Sequence, residues 1–104
     1  MAKKLALQPS PTFKAKVDIH VPGGEPVKVE FTFKAKKKSE LRTFMDGIAG
    51  VEDADLLMGI ASGWDLEDAF TKENVALLCD NYLGAALSVW DTYLSELNGA
   101  RLGN

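Results

Sequence analysis

Apolar and polar residues alternate strictly along two stretches near the start of the chain, and a proline- and glycine-rich segment, residues 22–26, lies between them. Successive side chains of an extended strand point to opposite faces, so each stretch has one apolar face. The apolar positions are Phe13, Ala15, Val17, Ile19, Val21, Val27, Val29, Phe31, Phe33 and Ala35. This pattern predicts an antiparallel β-hairpin over residues 13–36, with one face that other elements must cover.

The rest of the chain changes to the helical period. Across residues 39–98, apolar residues recur at spacings of three and four, which is typical of amphipathic helices. Capping and turn residues set the expected boundaries. These are an N-cap at Ser39 and a stop at Gly50 for the first helix, an N-cap at Asp53 for the second, a turn at 62–65, a helical turn over 65–70, and an N-cap at Thr71 for the next helix.

The last helix has the widest apolar stripe, and Asn98-Gly99 is a typical end for it. The stripe consists of Leu83, Ala86, Leu87, Val89, Trp90, Tyr93, Leu94 and Leu97. At 100° per residue these side chains fall within an arc of about 160°. An arc of that width can serve the core and still leave an edge for a partner, and both uses remain open.

Strands first and helices afterwards indicate the α+β class, with an N-terminal antiparallel hairpin packed against a C-terminal bundle of three to five helices. With 104 residues, the chain is expected to form a single domain, 1–104. That domain divides into an irregular arm (1–12) containing Pro9 and Pro11, the hairpin (13–36) and the helical part (39–98).

Composition narrows the class of protein. No apolar run approaches the roughly 18 residues of a membrane span, and the N-terminus has too little apolar sequence for a signal peptide, so we expect a cytoplasmic protein without a membrane partner.

The charges are divided unevenly along the chain. Residues 1–38 hold nine lysines and three acidic residues, a net charge of +6, whereas residues 39–104 hold three basic and twelve acidic residues, a net charge of −9. Either each half simply solvates its own surface, or a basic end meets an acidic side of another copy, in an association that weakens with salt.

Few residues suggest chemistry. His20, the only histidine, falls on the polar face of the first strand, and Cys79, the only cysteine, lies on a helical stripe without a histidine to activate it. The acidic residues near the helix starts lack the spacing of a calcium loop. We therefore expect no enzymatic activity, no metal and no cofactor.

Nucleic-acid binding is a weaker alternative. Lys36, Lys37 and Lys38 follow the second strand, close to Phe31 and Phe33. Lysines beside aromatic residues can hold single strands. However, the two phenylalanines lie on the apolar face, and the chain has a net charge of −3. A nucleic-acid-binding module that uses this lysine-rich hairpin remains the alternative.

Several short motifs occur in a specific order along nearly the whole chain. They are Pro9-Ser10-Pro11-Thr12-Phe13-Lys14, Val21-Pro22-Gly23-Gly24, Phe31-Thr32-Phe33-Lys34, Ser62-Gly63-Trp64-Asp65 and Asn81-Tyr82-Leu83-Gly84-Ala85-Ala86. In this order they resemble the tail assembly chaperones of long, non-contractile-tailed bacteriophages.

The resemblance implies a small protein of the host cell cytoplasm that self-associates and is not an enzyme. It would bind the phage tape measure protein, keep it soluble before tail tube polymerisation, and be absent from the mature virion. The tail tube protein is a further partner to consider, and a structural tail component that stays in the particle is the other alternative. The partner-binding candidates are Trp64, Trp90, Leu94 and Leu97, for which a role in the core is equally open.

Overall fold

A computed structural model describes residues 4–99. Strands β1 (Thr12–Ile19) and β2 (Val27–Lys34) form the predicted antiparallel hairpin, with Phe13 opposite Phe33. Five of the ten apolar positions are buried, four are partly buried, and Val27 near the tip is 52% exposed. The hairpin is followed by four helices, so the predicted α+β class is confirmed.

A third strand extends the hairpin. The turn that we expected at 62–65 is wrong, because residues Ala61–Trp64 form β3, which pairs antiparallel with β2 and places Trp64 opposite Phe31. Asp65 anchors the end of β3 to Glu30. Its backbone N–H donates to the Glu30 carbonyl at 3.0 Å, and its carboxylate accepts from the Glu30 N–H at 2.9 Å. These contacts join residues 35 positions apart, which local patterns do not reveal.

The first two helices differ from expectation at their ends. Helix α1 is Lys38–Asp46 and α2 is Asp53–Ile60. Ser39 is not the N-cap of α1, because the helix begins one residue earlier and the Glu40 carboxylate accepts from the backbone N–H of Lys37 at 2.7 Å. Helix α1 ends at Gly47 instead of Gly50, and the N-cap of α2 is Glu52 instead of Asp53.

The last two helices follow the sequence more closely. Helix α3 is Lys72–Asn81, and the Thr71 hydroxyl accepts from the Asn74 N–H at 3.1 Å, as the predicted N-cap should. The helical turn that we expected over 65–70 does not form. Helix α4 is Ala85–Asn98, and it ends at Gly99 with φ +69°, a left-handed conformation that suits glycine.

Aromatic rings join the sheet to α4. The ring of Phe33 lies 5.5 Å from that of Phe13, 5.8 Å from that of Phe31 and 5.3 Å from that of Tyr93. The Tyr93 hydroxyl donates to the Lys34 carbonyl at 2.8 Å, which satisfies the polar atom of a fully buried side chain. The core therefore lies between the apolar face of the sheet and the helices.

Helix α1 reaches this core through Phe44. A Cβ atom at Gly59 of α2 would come within 2.6 Å of the Phe44 ring, so glycine allows the ring to lie directly against the α2 backbone. Within residues 4–99, no helix is long and apolar enough to cross a membrane.

Before the first strand, residues 4–10 contain neither helix nor strand, and every one of them is exposed. The irregular arm that we expected over residues 1–12 stays a prediction as a whole, because residues 1–3 lie outside the described part and Thr12 already belongs to β1.

Candidate functional site

The apolar stripe of α4 is divided between the core and the surface. Ala85, Ala86, Val89 and Tyr93 are buried. The other members of the stripe within α4 are Leu87, which is 64% exposed, and Trp90, Leu94 and Leu97, which are partly buried. We refer to these last four residues as the α4 strip.

The α4 strip is a narrow band along one side of the helix. At 100° per residue its four side chains fall within an arc of about 80°, and it extends along roughly 15 Å of the helix axis. Its spacing of i, i+3, i+7 and i+10 is the spacing with which one helix packs against another. Leu83, in the turn before α4, is 91% exposed and adds apolar surface near the start of the helix.

Contacts with α1 hold the middle of the α4 strip in place. The Trp90 ring lies 6.2 Å from the Phe44 ring and 6.1 Å from the Tyr93 ring. The amine of Lys36 lies over the Phe44 ring, 4.8 Å from its centroid. Trp90 is thus fixed by ring contacts on its inner side while part of its surface stays accessible.

Trp64 lies on a different element from the other three candidates. Its ring packs edge-on against Phe31 at 5.9 Å and Phe70 at 5.1 Å, and its indole N–H donates to the Asp68 carbonyl at 2.7 Å. The structure brings Trp90, Leu94 and Leu97 together on α4 and places Trp64 at the wall of a separate groove.

This groove lies between the hairpin tip and α3 and has a volume of about 420 Å³. We call it the α3 groove. Three of its lining side chains are exposed apolar residues, namely Val27 (52%), Leu66 (36%) and Leu77 (56%). Sequence reasoning missed it, because its walls come from three segments that are far apart in the chain. Val27 was assigned to the apolar face of the strand and Leu77 was not singled out, and only the fold shows that they line a common space.

The family model of phage tail assembly chaperones matches residues 1–104, which is the whole chain. The chain belongs to this family. No curated protein and no solved structure gives a match. Family membership gives the chaperone a general role in tail assembly, with tail proteins as partners, and points to assembly instead of catalysis.

The lysine-rich end of the hairpin does not form an aromatic platform in this chaperone. Phe31 and Phe33 are fully buried, so neither ring is available to stack on a base. Lys34 is engaged with the protein itself, since its amine donates to the Met58 carbonyl at 3.0 Å. His20, which we placed on the polar face of the first strand, is exposed and lies just beyond the end of β1. In the described part of the chaperone, no three side chains of the metal-ligating types form a cluster that could hold an ion.

Cys79 of the chaperone is expected to be a slow nucleophile. Partial burial, together with the nearby Asp53 carboxylate, raises the pKa of its thiol to about 11. At pH 8, on the order of one thiol in a thousand is then ionised, compared with about a quarter for a free cysteine with a pKa near 8.5. Alkylation by iodoacetamide at pH 8 should be about 250-fold slower in the folded chaperone than in urea, and the ratio should fall as the pH approaches 11.

The raised pKa of the Cys79 thiol also makes the stability of the fold depend on pH. Folding favours the neutral thiol, so this contribution to stability is complete below the unfolded pKa and is lost as the pH rises toward about 11. Equal alkylation rates in the folded and unfolded chaperone at pH 8 would contradict the burial of this side chain.

Proposed function

We propose that this chaperone binds the phage tape measure protein through the α4 strip and keeps it soluble until the tail tube polymerises around it. The observation that carries the proposal is the surface of α4, where Leu87 stands exposed in line with the partly covered Trp90, Leu94 and Leu97. A long helical client with an apolar stripe would pack against such a strip, helix on helix.

The chemistry of the chain suits this role. Covering apolar client surface lowers its tendency to aggregate, and a net negative charge on the covering protein helps to keep the complex in solution. The α4 strip is short, so one copy would bind weakly. Several copies along one client would bind strongly together, because each bound neighbour raises the effective concentration of the next contact.

We further propose that the chaperone acts without enzymatic chemistry in the host cell cytoplasm, self-associates, and is absent from the mature virion. Trp64 remains a second candidate contact, and the tail tube protein a second candidate partner. The composition of purified particles separates a chaperone from a structural tail component, because only the structural component would be present in them.

The client experiment co-expresses the chaperone with a tape measure protein and measures how much client is soluble and co-purifies. Leu87→Asp places a charge at the most exposed position of the proposed contact. Burial of a leucine contributes about 1.5–3 kcal/mol, so we expect a loss of affinity of about tenfold or more. Because Leu87 is 64% exposed, the thermal stability of the free chaperone should change little.

Val51→Asp is the matched control, since Val51 is also an exposed branched apolar residue, 39%, and lies outside both the α4 strip and the α3 groove. It should leave the recovery of soluble client close to that of the unmodified chaperone. The proposal fails if the client is insoluble with and without the chaperone. The assignment to the α4 strip fails if Val51→Asp abolishes co-purification and Leu87→Asp does not.

A further inference from the structure

The N-terminal arm carries the two most exposed large apolar side chains of the described chain. Leu5 is 92% exposed and Leu7 is 95% exposed. In an extended segment, residues two apart point to the same side, so both leucines can face a common surface. Lys4 precedes them, and Pro9 follows, which favours an extended backbone at Gln8. The arm therefore has the features of an extended apolar ligand with a basic end.

The α3 groove has the complementary features. Nine large apolar side chains are exposed in the described chain, and three of them, Val27, Leu66 and Leu77, line this groove. With Leu5 and Leu7 of the arm, the two proposed surfaces account for five of the nine. The groove volume of about 420 Å³ is within the range of sites that hold small ligands.

Charge also matches between the arm and the α3 groove. Asp68 lines the groove, Glu67 is its neighbour in the chain, and both residues are exposed. The ion pairs among residues 4–99 are Lys28 with Asp18 and Lys72 with Asp55. Within that range, Glu67 and Asp68 therefore have no salt-bridge partner. The basic end of the arm could supply one.

The arm and the α3 groove lie at opposite ends of the hairpin. The arm enters β1 at Thr12, whereas the groove is lined by Ile19 at the far end of that strand and by Val21 beyond it. Eight strand residues separate the two ends by roughly 25 Å. An arm could reach its own groove only by reversing direction and running back along the whole strand, so the arm of another copy is the better occupant.

We propose that Leu5 and Leu7 of one copy insert into the α3 groove of the next copy and thereby link the chaperone head to tail. This rests on the self-association proposed above and specifies its interface, but it is independent of client binding by the α4 strip. Such a contact joins two different surfaces, so it repeats along an open chain or closes into a ring. A short arm buries less area than a stable dimer needs, and we expect a weak, concentration-dependent association.

The experiment is complementation between two full-length variants, followed by sedimentation or light scattering. Leu5→Asp/Leu7→Asp spoils the arm and leaves the groove intact, whereas Leu77→Asp spoils the groove and leaves the arm intact. Each variant alone should associate at least tenfold more weakly than the unmodified chain. When mixed, the two should form a dimer with one copy of each and grow no further.

Controls separate this interface from folding and from client binding. Leu87→Asp, on α4, should associate like the unmodified chain. Both interface variants should retain the thermal midpoint, because Leu5 and Leu7 are almost fully exposed and Leu77 is 56% exposed. If Leu77→Asp unfolds the protein, Val27→Asp, at a position 52% exposed, replaces it.

The remaining outcomes contradict the proposal in distinguishable ways. If the unmodified chain associates and the variants associate equally well, the arm interface is wrong and self-association stands. If the variants lose association but their mixture forms no dimer, the two mutated surfaces do not meet. If the unmodified chain stays monomeric at all concentrations, self-association and its interface both fail, whereas client co-purification still tests the α4 strip.

Discussion

Replacement of Phe33 by alanine is expected to lower the free energy of unfolding by about 3–5 kcal/mol. Phe33 is fully buried, and its ring contacts three other aromatic rings that belong to β1, β2 and α4. Truncation removes these contacts and leaves a cavity that the paired strands cannot close. Because domains of this size are stable by about 5–15 kcal/mol, much of the population could be unfolded at 37 °C. Urea titration followed by circular dichroism measures the loss.

Phe13→Ala is the matched control for Phe33. The two residues face each other across the β1–β2 pair, but Phe13 is only partly buried and lies on the edge strand. Its truncation should therefore cost clearly less than that of Phe33. Equal losses at the two positions would mean that the apolar face of the hairpin is not covered as the structure describes.

The hairpin could be predicted from sequence because its signal is local and repeated. The alternation from Phe13 and the matching alternation to Phe33 fix both faces, and a one-residue slip would expose the whole apolar set. Strand β3 could not be predicted in this way. It has four residues, includes Ser62 and Gly63, and depends on pairing with β2 and on the bonds between Asp65 and Glu30.

The candidate site was predictable in part. Periodicity identified α4 as an amphipathic helix with an unusually wide stripe. It could not divide that stripe between Tyr93, which is buried, and Leu87, which is exposed, because the division depends on where the sheet and α1 lie. Leu83 was assigned to the same stripe, but it lies in the turn before the helix and is 91% exposed. The roles of Trp64, Trp90, Leu94 and Leu97 in binding remain predictions.

Tyr93 joins α4 to the sheet in two ways, and two substitutions separate them. Tyr93→Ala removes a fully buried ring and should cost about 3–5 kcal/mol, whereas Tyr93→Phe keeps the ring and removes only the hydrogen bond to the Lys34 carbonyl. We expect the second change to cost about 1–2 kcal/mol, because it leaves a carbonyl without its partner. Urea titration of both variants at pH 7 measures the two contributions.

The stability difference between the unmodified chain and Tyr93→Phe should depend on pH, which provides a further check. Burial, assisted by the Glu40 carboxylate, raises the pKa of the Tyr93 phenol from 10 to about 12. The neutral phenol is therefore favoured by folding, and its contribution is complete below pH 10 and lost as the pH rises toward 12. The stability difference between the unmodified chain and Tyr93→Phe should shrink over that interval. A difference that instead grows with pH, or equal costs for the alanine and phenylalanine variants at pH 7, would contradict a buried, hydrogen-bonded ring between α4 and β2.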